Sequence, residues 1–103
     1  MRSIMLSVLA LMLAATPALA EQIGVRIDKN TFEPARIVIK PGDSVVWMNL
    51  EKRTSHDVIF EDGERSPRLL PEEVYKRTFD KPGTYPYHCE PHPQMKGEVV
   101  VEP

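Results

Sequence analysis

The chain has 103 residues, 42% of them hydrophobic and 27% charged, with a formal net charge of −2 and a single cysteine. That length suits one small domain and not two, and the slight acidic excess offers no electrostatic footprint for nucleic acid or an anionic membrane. One cysteine cannot close an internal disulfide.

Residues Met1–Ala20 carry one early cation, Arg2, an apolar run from Ile4 to Ala15, and Ala18-Leu19-Ala20 ahead of Glu21. This is the pattern of a secretory leader ending in a small-x-small cleavage site. The run is shorter than the ~20 residues that a spanning helix needs. A signal peptide at 1–20 cleaved before Glu21, export to a bacterial periplasm, and a mature single domain over 21–103 with no membrane span are therefore expected. Loss of Arg2 makes the mature chain one charge more negative.

Beyond the leader, turn signals recur at short intervals, as in an all-β sandwich. Ile23, Val25 and Ile27 alternate with polar residues and predict a first strand, which Asp28-Lys29-Asn30 turns back. Phe32 and the Glu33-Pro34 step lead to a strand at Arg36–Ile39. Pro41-Gly42-Asp43 predicts a type II turn, proline fixing φ and glycine taking the positive φ, into a strand at Ser44–Asn49 whose Trp47 belongs in the core. His56–Phe60 predicts another strand, Glu61–Arg65 a polar loop, and Ser66–Glu73 a loop whose Leu69-Leu70 is either tucked in or exposed. In Val74–Phe79, Val74, Lys76 and Thr78 oppose Tyr75, Arg77 and Phe79. Pro82-Gly83 turns into Thr84–Cys89, and Gly97–Glu102 closes the sheet; no helix of useful length is predicted.

The chemistry concentrates in Tyr85-Pro-Tyr-His-Cys-Glu-Pro-His-Pro-Gln-Met-Lys-Gly97, where Cys89, His92 and Met95 fall at three-residue intervals. Thiolate, imidazole and thioether suit a soft metal, and two His, one Cys and a long axial Met are the ligand list of a blue copper electron-transfer centre. A second histidine is needed. His88 adjoins Cys89 and points to the opposite strand face, which leaves His56. An unpaired thiol in an oxidising compartment is a liability unless a metal holds it as thiolate. Asn49 and Asp57 flank the His56 segment and are candidates for hydrogen bonds that orient the ligands, with local turn chemistry as the competing role.

The stretch Phe79–Val101, together with Pro41–Asn49 and His56-Asp57-Val58, resembles the cupredoxins, and among them the amicyanin group, whose Cys-x2-His-x2-Met loop carries proline on both sides of the histidine as Pro91 and Pro93 do here. The resemblance implies a Greek-key β-sandwich, the cupredoxin fold, and one copper ion held by His56, Cys89 and His92 with Met95 as weak axial ligand. It further implies a monomeric electron carrier, not an enzyme, that docks through Glu90, Pro91, His92, Pro93 and Gln94 between an upstream dehydrogenase, methylamine dehydrogenase in amicyanins, and a c-type cytochrome. Asp57 stands where the family commonly has Asn, Glu90 where it has a small hydroxyl residue, and Gln94 where amicyanins have an aromatic. Copper trafficking without a redox partner and a structural zinc module are the alternatives; the first lacks a Met- or His-rich tract, and thioether is a poor zinc ligand.

Overall fold

Alternation of apolar and polar side chains builds β1 (Gln22–Asp28), with Val25 and Ile27 buried and Gly24 and Arg26 facing out. Each Val or Ile removed from water contributes on the order of 1.5–3 kcal/mol, which settles the register of the strand. Lys29 and Asn30 then take φ of +52° and +56°, the left-handed pair required by a two-residue hairpin loop. β2 (Thr31–Glu33) returns antiparallel, Asp28 opposite Thr31. The computed structural model describes residues 19–103, so most of the expected leader, residues 1–18, lies outside the described residues.

β3 (Arg36–Ile39) buries Ile37 and Ile39. The turn after it closes with the Asp43 N–H donating to the Lys40 carbonyl at 3.0 Å and Gly42 at φ +96°, the type II geometry expected of Pro-Gly. β4 (Ser44–Asn49), β5 (Ile59–Phe60), β6 (Val74–Thr78), β7 (Gly83–His88) and β8 (Lys96–Val101) complete the fold, with no helix among the described residues. Two four-stranded sheets result, β2-β1-β4-β6 and β3-β8-β7-β5. β1 runs parallel to β4 with Val25 opposite Trp47, and β3 runs parallel to β8.

Trp47 is fully buried and meets Phe60 and Tyr87 edge-on at 5.7 and 5.4 Å between ring centroids. This is the core role expected of it. Gly97 lies against Tyr87, where a Cβ would come within 2.5 Å of the ring. Leu69 is buried and Leu70 is 54% exposed, so the pair divides between the two readings.

The expected His56–Phe60 strand is corrected to Ile59–Phe60, with His56 held by an isolated bridge to Leu69. The cause is side-chain competition for the ladder. Ser66 Oγ accepts the Val58 N–H at 2.9 Å, and Asn49 Nδ2 donates to the carbonyls of Thr54 and Leu69 at 2.8 and 3.0 Å. Smaller differences fall at strand ends: β6 stops at Thr78, β7 at His88, and β8 starts at Lys96.

Candidate metal centre

Three segments converge beyond the ends of β4 and β7. His56 exchanges both backbone hydrogen bonds with Leu69, at 3.1 and 2.6 Å. Cys89 follows β7 directly, its N–H donating to the Met95 carbonyl at 3.1 Å, while the Met95 N–H donates to the His92 carbonyl at 2.8 Å. The loop is thus closed on itself by its own backbone, and Pro91 and Pro93 restrict φ within it.

Cys89 Sγ lies 3.6 Å from His56 Nδ1 and 3.9 Å from His92 Nδ1. The three donor atoms all lie within 4.8 Å of one another, the spacing of ligands gathered around one ion at bonds of about 2.0–2.3 Å. His56, Cys89 and Met95 are buried, and His92 is half-buried at the rim. Burial pushes the Cys89 thiol up, so without a cation beside it the sulfur keeps its proton. A soft cation in the middle of this donor set would replace that proton, and thiolate, two imidazoles and a thioether fit copper. His88 takes no part: it lines a surface groove with Glu61, Lys96 and Glu98 on the other side of the strand.

The expected supporting residues divide the work. Asp57, 1% exposed, accepts the Glu90 N–H at 2.7 Å, bracing the cysteine loop. Asn49 braces the histidine side through Thr54 and Leu69 and also accepts the Glu51 N–H at 3.0 Å. It makes no hydrogen bond to the cysteine loop.

Sequence reasoning missed Glu51, Arg65 and Arg68. Glu51 Oε2 lies 3.1 Å from His56 Nε2. An ionised carboxylate can only accept, so in the neutral ring the proton sits on Nε2 and the Nδ1 lone pair faces Cys89. The His56 hydrogen bond, opposed by desolvation and helped by the Lys29 N–H, holds the Glu51 carboxyl below its ordinary range. Arg65 and Arg68 flank Asp57 at 3.8 and 3.5 Å, and Arg65 also meets Glu90 at 3.4 Å. Only a charge-rich loop marked them in the sequence, and such loops are usually solvated.

Of the expected docking residues, Glu90, Pro91, Pro93 and Gln94 are exposed around half-buried His92. Glu90 is paired with Arg65 and is not a free rim charge.

A family profile described as a Cupredoxin-like domain matches residues 3–101. The chain is 42% identical over 86 residues to an amicyanin of Paracoccus denitrificans, covering 78% of this chain and 65% of that protein's length. It is 40% identical over 95 residues to amicyanin-alpha of Methylorubrum extorquens, covering 86% and 79%. A solved structure of an oxidised amicyanin variant superposes with a TM-score of 0.75 at 40% identity, covering 79% of this chain and 82% of that one.

Proposed function

The chain belongs to the cupredoxin family, and from that premise we propose that it is an exported, amicyanin-like blue copper protein that carries single electrons in the bacterial periplasm. His56, Cys89 and His92 would hold the ion, with Met95 as a fourth, weaker donor. The observation that carries this reading is the convergence of Nδ1, Sγ and Nδ1 within 4.8 Å, three quarters of a donor set drawn from two distant segments.

Bound copper supplies the one-electron couple. The protein's share is to keep the donors from moving when the charge changes, because a site that rearranged at each transfer would be slow. Backbone closure of the ligand loop, the His56–Leu69 bridge and the Asp57 brace all limit such movement. With three converging donors and the Met95 thioether available as a fourth, the chain would leave the bound ion no position for substrate, unlike a catalytic metal site. The molecule accordingly transfers electrons and transforms no substrate by itself.

The partners in this reading are an upstream dehydrogenase, methylamine dehydrogenase being the first to try, and a c-type cytochrome as acceptor. Contact would be made as a monomer through Pro91, His92, Pro93 and their neighbours, since His92 is the donor residue nearest solvent. Reconstitution with Cu(II) tests the centre: an intense blue thiolate charge-transfer band that reductant bleaches and oxidant restores is expected. A colourless Cu(II) protein, or colour retained in Cys89→Ser, overturns it. Stopped-flow mixing with the dehydrogenase and with a c-type cytochrome tests the partners.

A further inference from the structure

At the end of the sandwich away from the metal centre, β1 starts beside the turn that launches β4. The backbone nitrogen of Glu21 donates to Asp43 Oδ1 at 2.9 Å, and the Lys40 N–H donates to Asp43 Oδ2 at 3.0 Å. Asp43 is 9% exposed. The Glu21 carbonyl accepts the Ser44 N–H at 2.9 Å, and the parallel ladder starts one residue later with Gln22 opposite Ser44. The Oδ2 contact is local turn chemistry. The Oδ1 contact reaches across 22 positions of sequence to a single backbone nitrogen.

That nitrogen is also the one that cleavage after Ala20 would free. We propose that Asp43 is the receptor for the α-ammonium created by leader removal, so that processing itself converts a hydrogen bond into an ion pair and locks β1 onto β4. The inference rests on the cleavage point within the exported-protein reading. In the step, water adds across the Ala20–Glu21 peptide bond; the Ala20 carboxylate departs with the leader, and the Glu21 nitrogen takes protons to become an ammonium.

Before cleavage, Asp43 Oδ1 receives one amide N–H from Glu21. Afterwards it faces a positive charge with three donors, which adds a Coulombic attraction between two ionised groups to a contact in which only the acceptor was charged before. The receptor is built in advance, since the Pro41-Gly42 turn and the Lys40 N–H fix the carboxylate. Backbone hydrogen bonds from Glu21 and then Lys40 hold the Asp43 carboxyl below its ordinary range, so that around neutral pH it is ionised while an α-amino group is still largely protonated. Lys40 and Glu102 line the same cleft, with Leu19, Ile23 and Val38; the first disfavours the ammonium and the second favours it. The precursor is then the looser form and the processed chain the locked one, an order that suits export before folding.

Three copper-loaded proteins test this: one starting at Glu21, one starting at Ala20, and one starting at Nα-acetylated Glu21, each also as Asp43→Asn. The Glu21 form should melt above the other two by roughly 4 °C or more, and the difference should vanish in Asp43→Asn. Its α-amino pKa, followed by NMR, should lie above the ordinary ~7.7–8.0. Equal melting of the three Asp43 proteins, or an ordinary α-amino pKa, overturns the contact even if Asp43→Asn fails to fold. N-terminal sequencing of the exported protein addresses processing separately. A start at Glu21 supports the assignment, and any other start overturns it while leaving the copper reading untouched.

Discussion

The Glu90 N–H donates to Asp57 Oδ1 at 2.7 Å, tying the residue after Cys89 to the residue after His56. One buried carboxylate therefore fixes both halves of the donor set to each other. Its second oxygen faces Arg68 and Arg65 at 3.5 and 3.8 Å, so the brace is an anion held between two guanidinium groups where the family commonly places a neutral amide.

Asp57→Asn and Asp57→Ala separate the charge from the brace. The amide keeps an acceptor for the Glu90 N–H but removes a negative charge beside the copper, which favours Cu(I). The reduction potential should rise, each 59 mV corresponding to about a tenfold change in a one-electron equilibrium. Alanine also leaves the Glu90 N–H without a partner, a loss of about 1–3 kcal/mol. Voltammetry and denaturation of both variants are the measurements. An unchanged potential in both would reduce Asp57 to a structural residue.

Glu51 should act through His56. Glu51→Ala frees the ring to turn and to move its proton to Nδ1, where it blocks ligation. Copper affinity should fall by about 10–100-fold, the usual effect of losing a partner that orients a metal-bound histidine, while Glu51→Gln, which can still accept from Nε2, should recover much of it. Competition against a chelator at constant pH measures this. Equal affinity in Glu51→Ala and wild type would show that backbone contacts alone orient His56.

The strands were legible in the sequence because burial on one face imposes a period of two, as in β1 and β6, and because Pro41-Gly42 can adopt few turns. Cys89, His92 and Met95 were legible because one short loop carries all three. His56 was reached only by elimination, and the strand assigned to it was too long, since the Asn49 side chain donates to carbonyls there and the Ser66 hydroxyl accepts the Val58 N–H in place of ladder partners. Glu51, Arg65 and Arg68 have no periodic signature. Their roles depend on which loops meet in space, and that is settled by the sandwich as a whole.

Acid stability should register the Asp62–Arg77 pair. Arg77 lies over the rings of Phe60 and Phe79, 4.4 and 4.6 Å from their centroids, and donates to Asp62 at 2.7 Å. That hydrogen bond, first among its causes, lowers the Asp62 pKa despite desolvation. A lowered pKa in the folded state stabilises above the unfolded value of about 3.9, and the contribution is lost as pH falls through the folded value. Asp62→Asn should cost about 0.5–1 kcal/mol at pH 7, a modest figure because the Asp62 side chain is 42% exposed and screened. Urea denaturation should show wild type and variant converging as the pH drops below 4. A gap that persists or widens there would assign the effect to packing and not to charge.

Docking is the last expectation, and the pairing of Glu90 with Arg65 sharpens it. At 3.4 Å the two charges largely cancel for a partner at a distance, so the rate of electron transfer to a basic c-type cytochrome should fall only shallowly with ionic strength. Glu90→Lys sets a like charge beside Arg65, leaves Arg65 and Arg68 with Asp57 as their shared counter-ion, and makes the rim cationic. Encounter should then be slower at low salt and recover as salt is added, because exposed charges are screened over a Debye length of ~10 Å at 0.1 M. Pro93→Glu places a charged side chain in the apolar patch beside His92, where it obstructs close approach, and its rate loss should persist at high salt. Stopped-flow transfer at several ionic strengths distinguishes steering from contact. If both variants react like wild type throughout, electrons leave by another face, and the groove lined by His88, the residue bonded to Cys89, is the surface to test next.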